Sequence, residues 1–261
     1  MKRATPWSWL WVALGVIYFV VPLYATLDFS LRAKRGTLSV LAYQSIIANP
    51  RFLASFTFSL QMALLTIVVA TLLMVPTIYW VNLRLPRWRP LIEFITLLPF
   101  VIPAIVHVFG LIRSYSRPPF LWVSSPALLV GAYVVLAFPY MYRAIDTGMR
   151  SIDIRSLTEA AQSLGAGWGT VLFQVIFPNV RLAILSGAFL TFAIVMGELT
   201  LALYLAWPGF GPFMYQIGQN RAYEPAALAV LSFALTWLAI GLLQLIGRGP
   251  RGQQVQLGGG R

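Results

Sequence analysis

Six stretches of the chain, 7–31, 56–81, 91–112, 125–145, 182–206 and 225–247, are long and nearly free of charge. Each is close to or above the ~20 residues that a helix needs to cross about 30 Å of hydrocarbon. No other feature restricts the fold as strongly. With no water in a bilayer core, a spanning segment must satisfy its own backbone hydrogen bonds, and an α-helix does so. The runs predict an all-α integral membrane protein with six transmembrane helices. Composition agrees: 10% of the 261 residues are charged and 59% are hydrophobic, against about 25% charged in soluble domains. The first run is too long for a signal-peptide core and no small-residue cleavage pattern follows it, so it reads as a retained helix.

The net charge is +12. Such a balance can mark nucleic-acid or anionic-lipid binding, but here membrane topology explains it and no nucleic-acid partner is expected. With both termini in the cytoplasm, the inner segments hold Lys2, Arg3, Arg84, Arg87, Arg89, Arg143, Arg150, Arg155, Arg181, Arg248, Arg251 and Arg261. The outer segments then hold Arg32, Lys34, Arg35, Arg51, Arg113, Arg117 and Arg221, which makes twelve against seven. An inner excess of Lys and Arg favours this orientation. Trp7, Trp9, Trp11, Trp80 and Trp88 sit where aromatic belts form.

Several chemistries are excluded. There is no cysteine, hence no disulfide, thiolate metal site or cysteine nucleophile. His107 is the single histidine, which removes two-histidine zinc sites, and no metal site is expected. Lys2 and Lys34 are the only lysines and neither lies in a Gly-x-x-x-x-Gly-Lys loop, so the chain has no P-loop of its own. The Gly165-x-Gly167-x-Gly169 run lacks dinucleotide-loop spacing and follows no strand.

Ionisable residues within apolar runs are costly and mark sites or partners. Glu198 falls near the middle of the fifth run, after Gly197. It either lines a translocation path and meets a cationic solute, or pairs with an arginine or backbone groups. His107, after Pro103, either makes an interhelical hydrogen bond or lines the path. Glu93 and Asp28 lie near run ends and read as interfacial. Pro99 and Pro103 predict a kink in the third run, as a hinge or an ordinary bend.

Residues 32–55 read as an outer loop with room for a short surface helix, and 82–90 as a tight basic turn. Residues 207–224 form the last outer loop, with turns at Trp207–Pro212 and then a short helix. Tyr215, Gln216, Gln219 and Arg221 there are either partner contacts or ordinary surface. The tail 248–261 is predicted to be flexible.

The longest inner segment is 146–181. Ser156 and Glu159 have capping-box spacing. Leu157, Ala161 and Leu164 form an apolar stripe at i, i+4, i+7. Gly165 ends this helix, a second runs from about Trp168 to Ile176, and Pro178 breaks it before the next span.

Glu159, Ala160, Ala161, Gly165, Val175, Phe177 and Pro178 carry the spacing of the "EAA" signature, so the segment resembles that of ABC-importer permeases. Phe177 stands where Leu is usual. The resemblance is sharpest over about 150–225. It implies a type I importer permease fold over 1–247, with a coupling connector at about 146–181. It implies that Glu159, Ala160, Ala161, Gly165, Ala166 and Pro178 form the element that docks on a separate ATPase. The implied partners are two ATPase copies using ATP and Mg, an extracytoplasmic substrate-binding protein, and a second permease, as a heterodimer or a homodimer. The chain itself would bind no cofactor, catalyse no reaction, and lie in a bacterial or archaeal inner membrane with both termini cytoplasmic. Leu164 before Gly165 is similar to permeases for polyamines, ferric iron, sulfate, molybdate, thiamine and aminoalkylphosphonates, with polyamine and ferric-iron types favoured. The rival reading is a gradient-driven transporter or channel using Glu198, Glu93 and His107. Internal repeats would favour it, and none is found. A non-transporting scaffold would leave the 159–178 pattern unexplained.

Overall fold

The computed structural model describes residues 6–34 and 36–247. The tail expectation at 248–261 lies outside the described residues. Helix α1 (Pro6–Ser30) is apolar all round, with Trp9, Tyr18, Phe19 and Tyr24 exposed. It packs chiefly on α12 (Tyr223–Gly247). The segment read as a loop contains α2 (Leu41–Ile47), and α3 (Pro50–Arg84) starts within it, capped by the Asn49 side chain accepting from Arg51 N–H. At 35 residues, α3 is about 52 Å long at 1.5 Å per residue and so projects beyond the hydrocarbon.

A 3₁₀ turn at Pro86–Trp88 leads into α4 (Arg89–Val101) and α5 (Ala104–Tyr115). These two are bent by 98°. Pro103 cannot donate a helix hydrogen bond and drives Ile102 into extended backbone, φ −86 and ψ 115. The expected kink is therefore a full break. A hairpin of β1 (Ser116–Arg117) and β2 (Phe120–Leu121) precedes α6 (Pro126–Arg150).

After α7 (Ile154–Ser163), the chain forms α8 (Trp168–Thr170), a π-helical stretch Val171–Ile176 and α9 (Phe177–Gly197). Together these make one helix over Trp168–Gly197. Pro178 does not break it: the proline sits in the first turn of α9, and the wider π turn ahead of it accommodates the missing N–H. The fifth apolar run is interrupted instead at Glu198, followed by α10 (Thr200–Tyr204) and α11 (Phe210–Asn220). Among the described residues four helices are long and apolar enough to span, and the bent pair, counted as one span, brings the number to five. Helix α12 has 25 residues, with its apolar described part at Tyr223–Leu235. By length and hydropathy the described residues supply up to five spans, against the six expected.

The core lies where α3, α6 and α9 meet, with Ile78, Leu129, Met141, Ile145, Met149 and Val180 buried. Two glycines set the α6–α9 distance. A Cβ at Gly187 would lie 2.9 Å from Met141 Sδ and 3.2 Å from its Cα, and one at Gly148 would lie 2.3 Å from Ala183 Cβ. Small residues allow this approach between membrane helices, where packing drives association. A second cluster at the opposite end joins Ala42, Ile46, Phe210, Phe213, Ala227 and Leu228.

Candidate functional site

The connector after α6 is built around α7. Its N-cap is Asp153, whose carboxylate accepts from Ser156 N–H at 3.1 Å and from Ser156 Oγ at 2.7 Å. The Ser156–Glu159 capping box therefore does not form, because the helix starts three residues earlier than that pairing needs. The Ser156 hydroxyl first, and its N–H second, hold the exposed Asp153 carboxyl below the ordinary aspartate value. Ile154 and Thr158 are buried, and Leu157 and Ala161 pack on the core. Leu164, expected on that stripe, points outward and is 90% exposed.

Gly165 ends the helix as expected. Its φ is +83, a left-handed value that favours glycine. Ala166 N–H donates to the Ala161 carbonyl at 3.0 Å and Gly165 N–H to that of Gln162 at 2.9 Å, the paired bonds of a Schellman motif. Glu159, Ala160, Leu164 and Gly165 are exposed. Glu159 faces Arg155 at 4.0 Å, both well solvated, a spacing that contributes little.

The inner side of the connector is fixed to α3. Tyr79 bonds Thr158 at 3.0 Å. At the next residue, the Trp80 ring lies 4.9 Å from that of Trp168, and one turn further the Arg84 guanidinium stands 5.7 Å from the centre of the Trp168 ring. Beside this junction is a buried carboxylate that sequence reading passed over. Asp146 accepts from Asn82 of α3, Arg89 of α4 and Arg150 of α6. Only its i, i+4 spacing to Arg150 was readable.

Between α4, α6 and α9 lies a groove of about 760 Å³. Glu93, Thr96, Arg143, Thr147 and Ser186 line it. Glu93 and Arg143 pair at 3.0 Å, and the Arg143 side chain is 70% exposed. Asp28 pairs instead with Arg32, at 2.6 Å.

The family described as "binding-protein-dependent transport system inner membrane component" matches residues 63–248. The chain belongs to that family. A probable molybdenum ABC transporter permease protein of Haloferax volcanii is 28% identical over 258 residues, covering 94% of this chain and 92% of the relative. The molybdenum transport system permease protein ModB of Escherichia coli is 28% identical, covering 61% of this chain and 78% of the relative. The spermidine/putrescine permease PotB of Haemophilus influenzae is 24% identical, covering 73% and 71%. A bacterial ABC transporter that imports alginate superposes with a TM-score of 0.69 at 15% identity, covering 92% of this chain and 96% of that one. The fold is that of an ABC-importer permease.

In this permease Glu198 is not in mid-helix. It terminates α9, and its carboxylate accepts from Leu201 N–H at 2.8 Å, Ala202 N–H at 3.1 Å and Tyr133 Oη at 3.3 Å. His107 is half-buried on α5, and among the described residues none of the bonds made by the Glu198 carboxylate reaches it. Tyr215, Gln216, Gln219 and Arg221 are all exposed on or just after α11, with Arg221 pairing Glu224 at 2.9 Å. The structure thus places the residues expected to dock together on one connector, and does not join Glu198 to His107.

Proposed function

We propose that this permease subunit forms one half of the translocation path of an ATP-driven importer and couples to a separate ATPase through α7 and its glycine turn. One observation carries the reading. Helix α7 turns Glu159, Ala160, Leu164 and Gly165 outward while its other face is locked to α3 through Tyr79 and Thr158. A surface with small residues, one projecting apolar side chain and a rigid base suits a protein partner, and its anchor suits the transfer of movement. Ala161, Ala166 and Pro178 support the element from behind rather than touching the partner.

The connector faces the cytoplasm in this reading, with both termini on the same side of a cell membrane. ATP and Mg belong to the partner, and this chain holds no cofactor and no catalytic site. A second permease, related or identical, completes the path. The polar face of the α4–α6–α9 groove is the path wall, because charged groups in spans face water or protein. Arg143 is too exposed in the single subunit to meet lipid. Glu198 serves the α9–α10 break, so the gradient-driven alternative loses its central residue. The exposed residues Tyr215, Gln216 and Gln219 of α11, and Arg221 just after it, are assigned to the side that receives a substrate-binding protein. The solute is a small ion. The molybdenum relative spans nearly the whole chain, which puts oxyanions ahead of the polyamines and ferric iron favoured from residue 164 alone.

Purification of the tagged chain from its native membrane in mild detergent tests this. Wild type is expected to carry an ATPase, and Glu159→Lys and Gly165→Asp are expected to release it. A wild-type preparation without ATPase overturns the reading.

A further inference from the structure

We propose that a pocket at the outer end of α3 binds a free oxyanion through Arg51, Ser55 and Gln216. The inference rests on the orientation and solute class given above, and adds the place where that solute first meets the permease. The pocket has a volume of about 500 Å³ and lies between the start of α3, the α10–α11 turn and α11. At about 30 Å³ per water, it has room for a small ion with much of its hydration shell. Arg51 is the second residue of α3 and lies at the opposite end from Arg84 of a helix about 52 Å long. It therefore stands clear of the roughly 30 Å of hydrocarbon. Ala206 takes a φ of +59, and beyond this turn the Trp207 ring stacks on that of Phe58, with 5.6 Å between centroids and 13° between planes. That stack fixes one wall.

Three side chains of the lining can donate hydrogen bonds and have no acceptor among the described residues. Ser55 is 5% exposed, and its hydroxyl is unpaired. The Arg51 guanidinium and the Gln216 amide are likewise unpaired. Buried polar groups are nearly always bonded, so an unpaired hydroxyl in a pocket wall points to an acceptor from outside the chain. Elsewhere on α3, Thr57 and Thr77 donate back to their own helix, which Ser55 does not.

Charge decides what that acceptor is. No Asp or Glu lines the pocket. At this end of the bundle Asp28 and Glu224 are paired with Arg32 and Arg221, and the Glu198 carboxylate is taken up by Leu201, Ala202 and Tyr133. Arg51 is thus an uncompensated cation among neutral donors. A cationic solute would be repelled there, and a neutral one would leave the guanidinium unused. An oxyanion accepts from the planar Arg fork and from the hydroxyl and amide beside it, and such charge-assisted bonds are the strong ones. A concave positive surface also raises the local concentration of anions. In the α4–α6–α9 groove, by contrast, Arg143 is already paired with Glu93 at 3.0 Å. The outer pocket, not the groove, offers an anion an unpaired guanidinium.

The chain has no cysteine, so Ala54→Cys, exposed in the pocket lining, gives one reporter thiol in this subunit. Its labelling by a sulfonate-bearing thiosulfonate is compared with that by a trimethylammonium one, in the complex purified in detergent without a binding protein. Leu38→Cys, 69% exposed in the neighbouring outer loop, is the control. The reporter is expected to favour the anionic reagent roughly threefold more than the control does. Sodium molybdate or sulfate should slow its labelling roughly threefold beyond sodium chloride at equal ionic strength, which removes simple screening. Arg51→Gln should abolish both effects. Arg51→Lys should keep the charge preference and lose most of the protection, and Ser55→Ala, which removes no bond made within the chain, should weaken protection about twofold. Equal protection by chloride overturns the pocket, as does protection that survives both Arg51→Gln and Ser55→Ala. Protection by added phosphatidylglycerol but by no free ion also overturns it, since the donors would then serve a lipid phosphate, and so does protection by spermidine alone. Oxyanion protection in a preparation that carries no ATPase upholds the pocket while the coupling reading fails. ATPase co-purification with no oxyanion protection upholds the coupling reading and overturns the pocket.

Discussion

The Tyr79 hydroxyl donates to Thr158 Oγ1 at 3.0 Å, because the Thr158 proton is already given to the Ile154 carbonyl at 2.7 Å. This bond joins a membrane helix to α7 through two buried side chains. Tyr79→Phe removes it and leaves Thr158 satisfied. The loss is about 1 kcal/mol, or roughly fivefold in local opening. Limited proteolysis of the connector under native conditions should quicken by about that factor, with ATPase co-purification unchanged. An unchanged cleavage rate would show that Tyr79 does not hold α7.

Gly165 has φ +83 and open space around its Cβ position, so a side chain there meets only backbone strain, about 1–2 kcal/mol for ordinary L residues. Gly165→Val should fray the end of α7 and release ATPase, while Gly165→Asn should retain more, since Asn tolerates this conformation better. Co-purification ratios of the two variants check the order.

Gly187 faces Met141 across the α6–α9 contact with no room for a methyl group, whereas Gly131 has nothing within 4 Å. Gly187→Val should destabilise by about 1–3 kcal/mol through overpacking. Gly131→Ala, in the same bundle, should leave the thermal unfolding temperature in detergent unchanged. Equal effects of the two would contradict the close helix approach.

Glu198→Ala strips acceptors from Leu201, Ala202 and Tyr133, and should cost about 1–3 kcal/mol as buried donors go unpaired. Glu198→Gln keeps one carbonyl oxygen and should recover most of the yield and thermal stability. If Glu198→Gln folds normally yet abolishes import, the carboxylate has a path role after all.

Asp153 gives a pH signature. Its folded carboxyl titrates below the ordinary value of 3.8, so its cap is fully present above that value and is lost only as pH falls through the depressed one. Exchange protection of 154–163, corrected for intrinsic rate, should stay flat from neutral pH to about pH 4 and fall below it. Asp153→Asn should flatten that fall, because Asn also caps.

The membrane class and the glycine turn of the connector were legible because each is written in local residues: apolar length, and a glycine just past a helix end. What escaped was non-local or hidden by uniform hydropathy. Asn82 and Arg89 are distant in sequence from Asp146, and no periodicity links them. The run 182–206 is continuously apolar, so the end of α9 at Glu198 shows only through the three donors that gather on its carboxylate. Pro103 announced a bend but not its 98° angle, which depends on the packing of α4 against α6. The Asp153 cap was readable from Asp-x-x-Ser and was overshadowed by the neighbouring Ser156–Glu159 pattern.

Helix α1 shows the opposite dependence. It stands at the edge of the bundle against α12, and the family match begins only at residue 63, beyond it. Its described side chains are mostly exposed in the single chain, so most substitutions among Leu, Val, Ile and Phe there disturb few internal contacts. Neutral drift can rewrite α1 almost letter by letter while a single methyl at Gly187 is refused, and two descendants of one ancestor will lose their resemblance first at this end.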